Sequence, residues 1–341
     1  MRRLALAFLG CLSTCLALGH GFAAPAGAER GAPPAPHCAY EERGPNGPRG
    51  NVLRIDRSMH IRLRREGSAI AVFQWEGDRG ERLECDGSLP EVRSLDRIVY
   101  EPVEGAHRLD IDQTGGPLGP GATGEPGGDE IEILAKLPKT KVQRPSNVRV
   151  LGSEADDWIR VGETAGGGKA INLDVGHDGL RQDADLTIES PSRVPIQIAG
   201  GGGADLLSAD GGREFAAPLR SSGATLVGGA GDDHLFGGLG NDHMRGDDGD
   251  DLANGGRGRD RISAGLGEDR LFGGRGRDEL SDYGGDWDVL AGGPDRDAIH
   301  ALDDVPDRVV CGTGVDNAWV DALDYRARED CEKLHGPSFP R

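Results

Sequence analysis

Isolated apolar residues return on a nine-residue period through the C-terminal part of the chain: Leu235, Met244, Ile262, Leu271 and Leu280. Each is the middle member of a three-residue run. An amphipathic helix would bring apolar residues back after three and four positions. This spacing predicts instead a minimal strand whose middle side chain points inward while its neighbours point out. Nearer the N-terminus the pattern differs. The runs "VLRIDRS", "HIRLRRE", "AIAVFQW", "DRIVYEP" and "HRLDID", all within residues 37–114, alternate apolar and polar positions and are punctuated by Gly, Pro and Asp. That alternation marks half-buried strands. "TGGPLGPGATGEPGGDE" from Thr114 reads as a loop or lid, after which "EIEILAKL" and "NVRVLG" resume the strand pattern.

Glycine and aspartate keep the same period as the hydrophobes. From Gly228 the chain reads "GGAGDDHLF", "GGLGNDHMR", "GDDGDDLAN", "GGRGRDRIS", "AGLGEDRLF" and "GGRGRDELS" in unbroken register. One extra residue intrudes at "DYGGDWDVLA", "GGPDRDAIH" recovers the frame, and "CGTGVDNAW" keeps it with Cys311 in the first glycine slot. Outlying copies are "GSEADDWIR" (152–160), with Asp157 in the carboxylate slot, and "GGGGADLLS" (200–208), with Asp205 there. Repetition at a fixed short period implies a stacked architecture. The expected organisation is a β-rich region over 37–146, either degenerate solenoid or a small β domain, then degenerate coils over 147–227, the regular repeats over 228–310 and a cap over 311–332.

Three glycines within four positions allow the tight turn that opens each unit. Two units make one coil of eighteen residues, so Asp233 falls in line with Asp251 and Asp269 on one edge, and Asp242 with Asp260 and Asp278 on the other. Stacked carboxylates repel unless a cation lies between them. Energetics point the same way: ordering a residue costs about 1–2 kcal/mol, and burying one Leu or Ile per unit returns only about 1.5–3 kcal/mol. A hard dication bound by carboxylate and carbonyl oxygens supplies the missing stabilisation, and calcium suits that oxygen set better than magnesium. Chelator, or acid below about pH 4–5, is then expected to unfold the coils. The step from Asp278 to Asp297 is nineteen residues, so strain is expected at Asp297, and Asp260 is expected to serve more cation sites than Asp297.

The frame resembles G-G-x-G-x-D-x-U-x, the nonapeptide of RTX (haemolysin-type) calcium-binding proteins. The resemblance is strongest from Gly228 to Ile299. It implies an all-β, right-handed parallel β-roll with calcium in the turns. Carried over slot by slot, the ligand carboxylates are Asp233, Asp242, Asp251, Asp260, Asp269 and Asp278, with Asp205, Asp288 and Asp297 as weaker candidates. The chain departs from the haemolysin type at both ends. It opens with an N-terminal export pattern, and its C-terminus "EDCEKLHGPSFPR" does not look like an uncleaved export signal. The closer likeness is to secreted bacterial calcium-binding repeat proteins that end in sequences such as "DRVVCGTGVD…DCE", which implies a disulfide-closed cap.

Composition narrows the functional choices. Aromatics make up 4% of the chain, glycine 57 residues, and the net charge is −19. That balance argues against a nucleic-acid or anionic-membrane partner and suits cation binding. Arg2, Arg3 and the apolar run Leu4–Gly19 fit a cleavable secretory signal over residues 1–26, and no other run is apolar enough to span a membrane. Four cysteines then remain, Cys38, Cys85, Cys311 and Cys331. In an exported chain they suggest two disulfides. Three pairings are possible, the sequence-local one being the first choice.

No G-x-S-x-G or H-E-x-x-H occurs. "GETAGGGKA" places Glu163 where a P-loop needs glycine, and "DVGHDGLRQDAD" mimics an EF-hand loop between strand-like flanks. His234 and His243 are expected on opposite sheets, facing solvent. The expected protein is a non-enzymatic, extracellular or cell-surface calcium-binding roll, structural or adhesive, with its macromolecular partner unknown. The alternative is a secreted hydrolase whose site lies in 37–146.

Overall fold

The computed structural model describes residues 37–41, 51–56, 60–76, 79–83, 85, 95, 97–102, 107–115, 131–138, 146–166, 168–175, 186–190, 193–211, 217–220, 223–324 and 331–336. The expected signal segment, most of the loop after Thr114 and most of the EF-hand-like stretch lie outside them. All described residues fall within one compact unit, Pro36–Arg341.

Among the described residues the fold is all-β, with two sheets of thirteen strands each. From Arg97–Glu101 onward the chain mostly alternates between the sheets, laying each new strand parallel to one in the coil before. In the first sheet Leu235 pairs with Ala253 and Ala253 with Leu271. In the second, Met244 pairs with Ile262 and Ile262 with Leu280. These are eighteen-residue steps, and every one of the named side chains is buried.

The core changes character along the stack. Near the N-terminus each strand points two side chains inward: Leu53 with Ile55, Ile61 with Leu63, Ile98 with Tyr100, Leu109 with Ile111. In the repeats the three-residue strands His234–Phe236, Leu252–Asn254 and Arg270–Phe272 each bury one. Apolar burial therefore supports the N-terminal coils far better than the C-terminal ones, where about 1.5–3 kcal/mol per side chain must hold a whole unit.

Two features interrupt the parallel stack. Lys169–Val175 runs antiparallel both to Asp157–Glu163 and to Leu186–Glu189, widening the first sheet by a hairpin. The second sheet passes straight from Asn147–Leu151 to Ile196–Gly202. At the N-terminal end both sheets finish in antiparallel strands, His37–Glu41 in one and Ala69–Glu76 followed by Arg79–Arg82 in the other. Cys38 lies on the first of these terminal strands and bonds to Cys85, just beyond the last. At the C-terminal end Cys311, on the final strand of the first sheet (Arg308–Thr313), bonds to Cys331. Cys331 lies two residues before the final strand of the second sheet, Lys333–His335. The sequence-local pairing is thus the one formed, and each disulfide ties together the two sheet edges at one end of the stack. Loops of 47 and 20 residues give about 4 and 3 kcal/mol by the chain-entropy relation.

The expected strain at the nineteen-residue step is not found. Leu271 pairs with Leu290, and Leu280 with Ile299. The main-chain N–H of Asp278 reaches Asp297 Oδ1 at 2.8 Å, as the one of Asp251 reaches Asp269 at 2.8 Å across eighteen residues. The turn absorbs the additional residue, so the strands keep their register.

Candidate metal centre

The repeat turns that open with glycine fold their aspartate back over it. A Cβ added at Gly273 would lie 2.8 Å from Asp278 Oδ2, and one at Gly292 would lie 2.7 Å from Asp297 Oδ2. Glycine predominates in this slot because the carboxylate crowds the space of a side chain, although Ala264 and Cys311 also occupy it.

The carboxylates form two ladders. In one, the N–H groups of Asp157, Asp205, Asp233, Asp251, Asp269 and Asp288 donate in turn to Oδ1 of Asp205, Asp233, Asp251, Asp269, Asp288 and Asp307, at 2.6–3.0 Å. Asp307 N–H continues it to Asp324 Oδ1 at 3.1 Å. In the other, Ala224 N–H donates to Asp242, Asp242 to Asp260, Asp260 to Asp278, Asp278 to Asp297 and Asp297 to Asp316, at 2.6–2.9 Å. Glu332 Oε2 accepts from Asp316 N–H at 2.8 Å, so a glutamate from the cap ends this ladder. One oxygen of each carboxylate thereby satisfies a buried amide of the preceding coil.

The second oxygen is left over. Oδ2 of Asp205, Asp233, Asp251, Asp260, Asp269, Asp278, Asp288 and Asp297 is buried without a hydrogen-bond partner. Buried, unpartnered carboxylate oxygens are costly, and a row of them at turns rich in backbone carbonyls is a hard-cation donor set. Asp242 is the exception among the nine expected ligands. Its Oδ2 accepts the Gly238 N–H at 2.7 Å. Asp157, in the outlying unit, is likewise engaged by Ser153 N–H at 2.6 Å.

Burial raises every one of these carboxyls, and at Asp205, Asp251, Asp260, Asp288 and Asp297 like charges stacked in the same ladder act in the same sense. Asp233 and Asp269 are pushed up to about 6, Asp251 and Asp297 to about 7, and Asp205 and Asp260 to about 8. The amides that donate to them pull the other way without prevailing. Burial thus opposes ionisation at each of them, and a cation would favour it.

Four acids outside the expected set share this environment: Oδ2 of Asp282, Asp303, Asp307 and Asp316 is also buried and unpartnered. Asp316 sits in the carboxylate slot of "CGTGVDNAW" and was there to be found. Asp282, Asp303 and Asp307 lie where additional residues break the frame. His234 and His243 are exposed, on strands of opposite sheets.

Two overlapping stretches, residues 221–253 and 245–280, match the family model described as RTX calcium-binding nonapeptide repeat (4 copies). No curated protein and no solved structure matches the chain. The segment 221–280, over which both carboxylate ladders step by eighteen residues, is therefore built of RTX calcium-binding nonapeptide repeats arranged as a β-roll.

Proposed function

We propose that the protein is a secreted calcium-binding roll whose C-terminal coils take their stability from the ions they hold, and that it serves a structural or adhesive role outside the cell. The observation that carries this reading is the row of buried Oδ2 atoms without partners, from Asp205 to Asp297. Asp233, Asp251, Asp269 and Asp288 would supply calcium ligands along one edge, and Asp260, Asp278 and Asp297 along the other. Calcium neutralises each column, while the chain's own part is to orient Oδ2 through the amide bound to Oδ1. Asp242 contributes less, because Gly238 N–H already holds its Oδ2.

Export is supported by the N-terminal basic and apolar pattern and by two disulfides, which persist in oxidising compartments. A structural or adhesive role is supported by the form of the stack, two long sheets tied at both ends. Its flanks carry ordered side-chain rows such as the stacked rings of His300, Trp319 and His335. Native mass spectrometry of the chelator-stripped, disulfide-intact chain, with calcium added back, tests the first part. Several bound calcium ions are expected, and none at millimolar calcium would overturn it. Recovery of the chain from a bacterial culture medium with a new N-terminus between Ala23 and Ala28 tests export, and retention in the cytoplasm would contradict it.

A further inference from the structure

The frame slips after Ser281, and the slip brings a carboxylate to a place where the regular coils have glycine or alanine. Asp282 closes the strand Glu279–Asp282, in line with Gly246 and Ala264 of the two preceding coils. A Cβ at Gly246 would run into the carboxylate of Asp251. A side chain at 282 is correspondingly directed at Asp288, the carboxylate of its own coil.

The result is a third acid in one turn. Carboxylate oxygens of Asp282, Asp288 and Asp307 lie within 4.8 Å of one another, and all three residues are 0% exposed. Each has one oxygen engaged: Asp282 Oδ1 accepts Gly284 N–H at 3.1 Å, Asp288 Oδ1 accepts Asp269 N–H at 2.6 Å, and Asp307 Oδ1 accepts Asp288 N–H at 3.0 Å. Oδ2 of each is buried and without a partner, as is Oδ2 of the nearby Asp303. Three carboxylates converging in a buried turn, each with an unpaired oxygen, form a donor set that a repeat step, with its two stacked carboxylates, does not match.

We propose that Asp282 joins Asp288 and Asp307, a step of the first ladder, to form a three-carboxylate calcium site with Asp303 at its margin, and that it is the tightest site in the chain. The proposal rests on the calcium reading above and lies outside the segment that matches the repeat family. Affinity of oxygen sites for calcium rises with the number of charged ligands, and three carboxylates exceed the two of a repeat step. The location gives the site a purpose. Asp282 and Asp288 belong to one coil, while Asp307 leads into Arg308–Thr313 and the Cys311–Cys331 disulfide. An ion here fastens the cap to the last repeats, so the roll loads from its capped end.

Calorimetric calcium titration of the chelator-stripped, disulfide-intact chain, beside Asp282→Asn and Asp260→Asn, is the test. The parent protein is expected to show one site at least about tenfold tighter than the others. Asp282→Asn should lose that phase and keep the weaker ones, and Asp260→Asn should keep it. An Asp282→Asn isotherm that superposes on the parent's, or weak uptake with no tighter class, overturns this proposal alone. No uptake by any of the three proteins overturns the calcium reading as well. Hydrogen exchange on the parent chain with one equivalent of calcium decides independently of how the variant folds. Protection should appear first in residues 282–307, and its appearance first in 223–260 would overturn the proposal.

Discussion

In excess chelator, lowering the pH from about 8 to about 5 should restore β-structure to the repeat coils. The buried carboxyls titrate above 3.8, Asp251 at about 7 and Asp260 at about 8. A group raised on folding contributes stability that is full below its unfolded value and lost as the pH climbs through its folded one. At 1.4 kcal/mol per pH unit, holding Asp251 ionised in the metal-free fold costs about 4 kcal/mol and holding Asp260 ionised about 6 kcal/mol. The two lie on different ladders, and together they match the roughly 5–15 kcal/mol that keeps an ordinary domain folded. Metal-free coils are thus unstable near pH 8 and regain stability as protons take the place of the cation at Oδ2. The sequence alone suggests that acid and chelator act alike, since both strip the ion. Burial reverses the acid arm. Far-UV circular dichroism of the disulfide-intact chain in EDTA, stepped downward in pH, is the assay. A β signal that stays constant or falls over that range would refute the reasoning.

Asp295 sits at φ +88° with its side chain exposed, and its charge raises its neighbours Asp278 and Asp297. Asp295→Gly should therefore raise the melting temperature in calcium by about 1–3 °C, and a fall would contradict the backbone argument. Because Asp297 lies between Asp278 and Asp316, both with an unpaired Oδ2, while Asp260 lies between Asp278 and the engaged Asp242, Asp297→Asn should lose at least as much calcium as Asp260→Asn by native mass spectrometry; a smaller loss for Asp297→Asn would restore the idea of a strained register. Cys311→Ser should cost about 3 kcal/mol and make residues 308–336 the first to exchange hydrogen, whereas uniform exchange along the chain would show that the cap does not depend on the bond.

How far the sequence discloses the molecule depends on how closely each part keeps the nine-residue frame. Leu235, Met244, Ile262, Leu271 and Leu280 point inward because their slots repeat without interruption, and the same regularity gives the eighteen-residue ladders. The N-terminal strands show their own alternation, but not their partners. Nothing in "KAINLDV" announces that it will lie antiparallel between two strands of the first sheet. Frame-based reading also fails where turns lengthen. The step to Asp297 looks strained on paper and is not, because a turn can absorb a residue that a strand cannot. Asp282 and Asp307 stand where the frame slips, so slot counting passes over them. Asp242 fills its slot correctly, yet a local amide from Gly238 takes the oxygen that its neighbours leave unpaired. That depends on turn conformation, which the repeat formula does not encode.

The most direct test of the central claim, that cations at the unpartnered Oδ2 atoms hold the repeat coils together, is a calcium titration near neutral pH followed by far-UV circular dichroism on the chelator-stripped, disulfide-intact chain. The coils at 223–310 should gain β signal as calcium rises into the range of about 10⁻⁴–10⁻³ M typical of extracellular modules. A full β signal in chelator at that pH, unchanged by calcium, would contradict it.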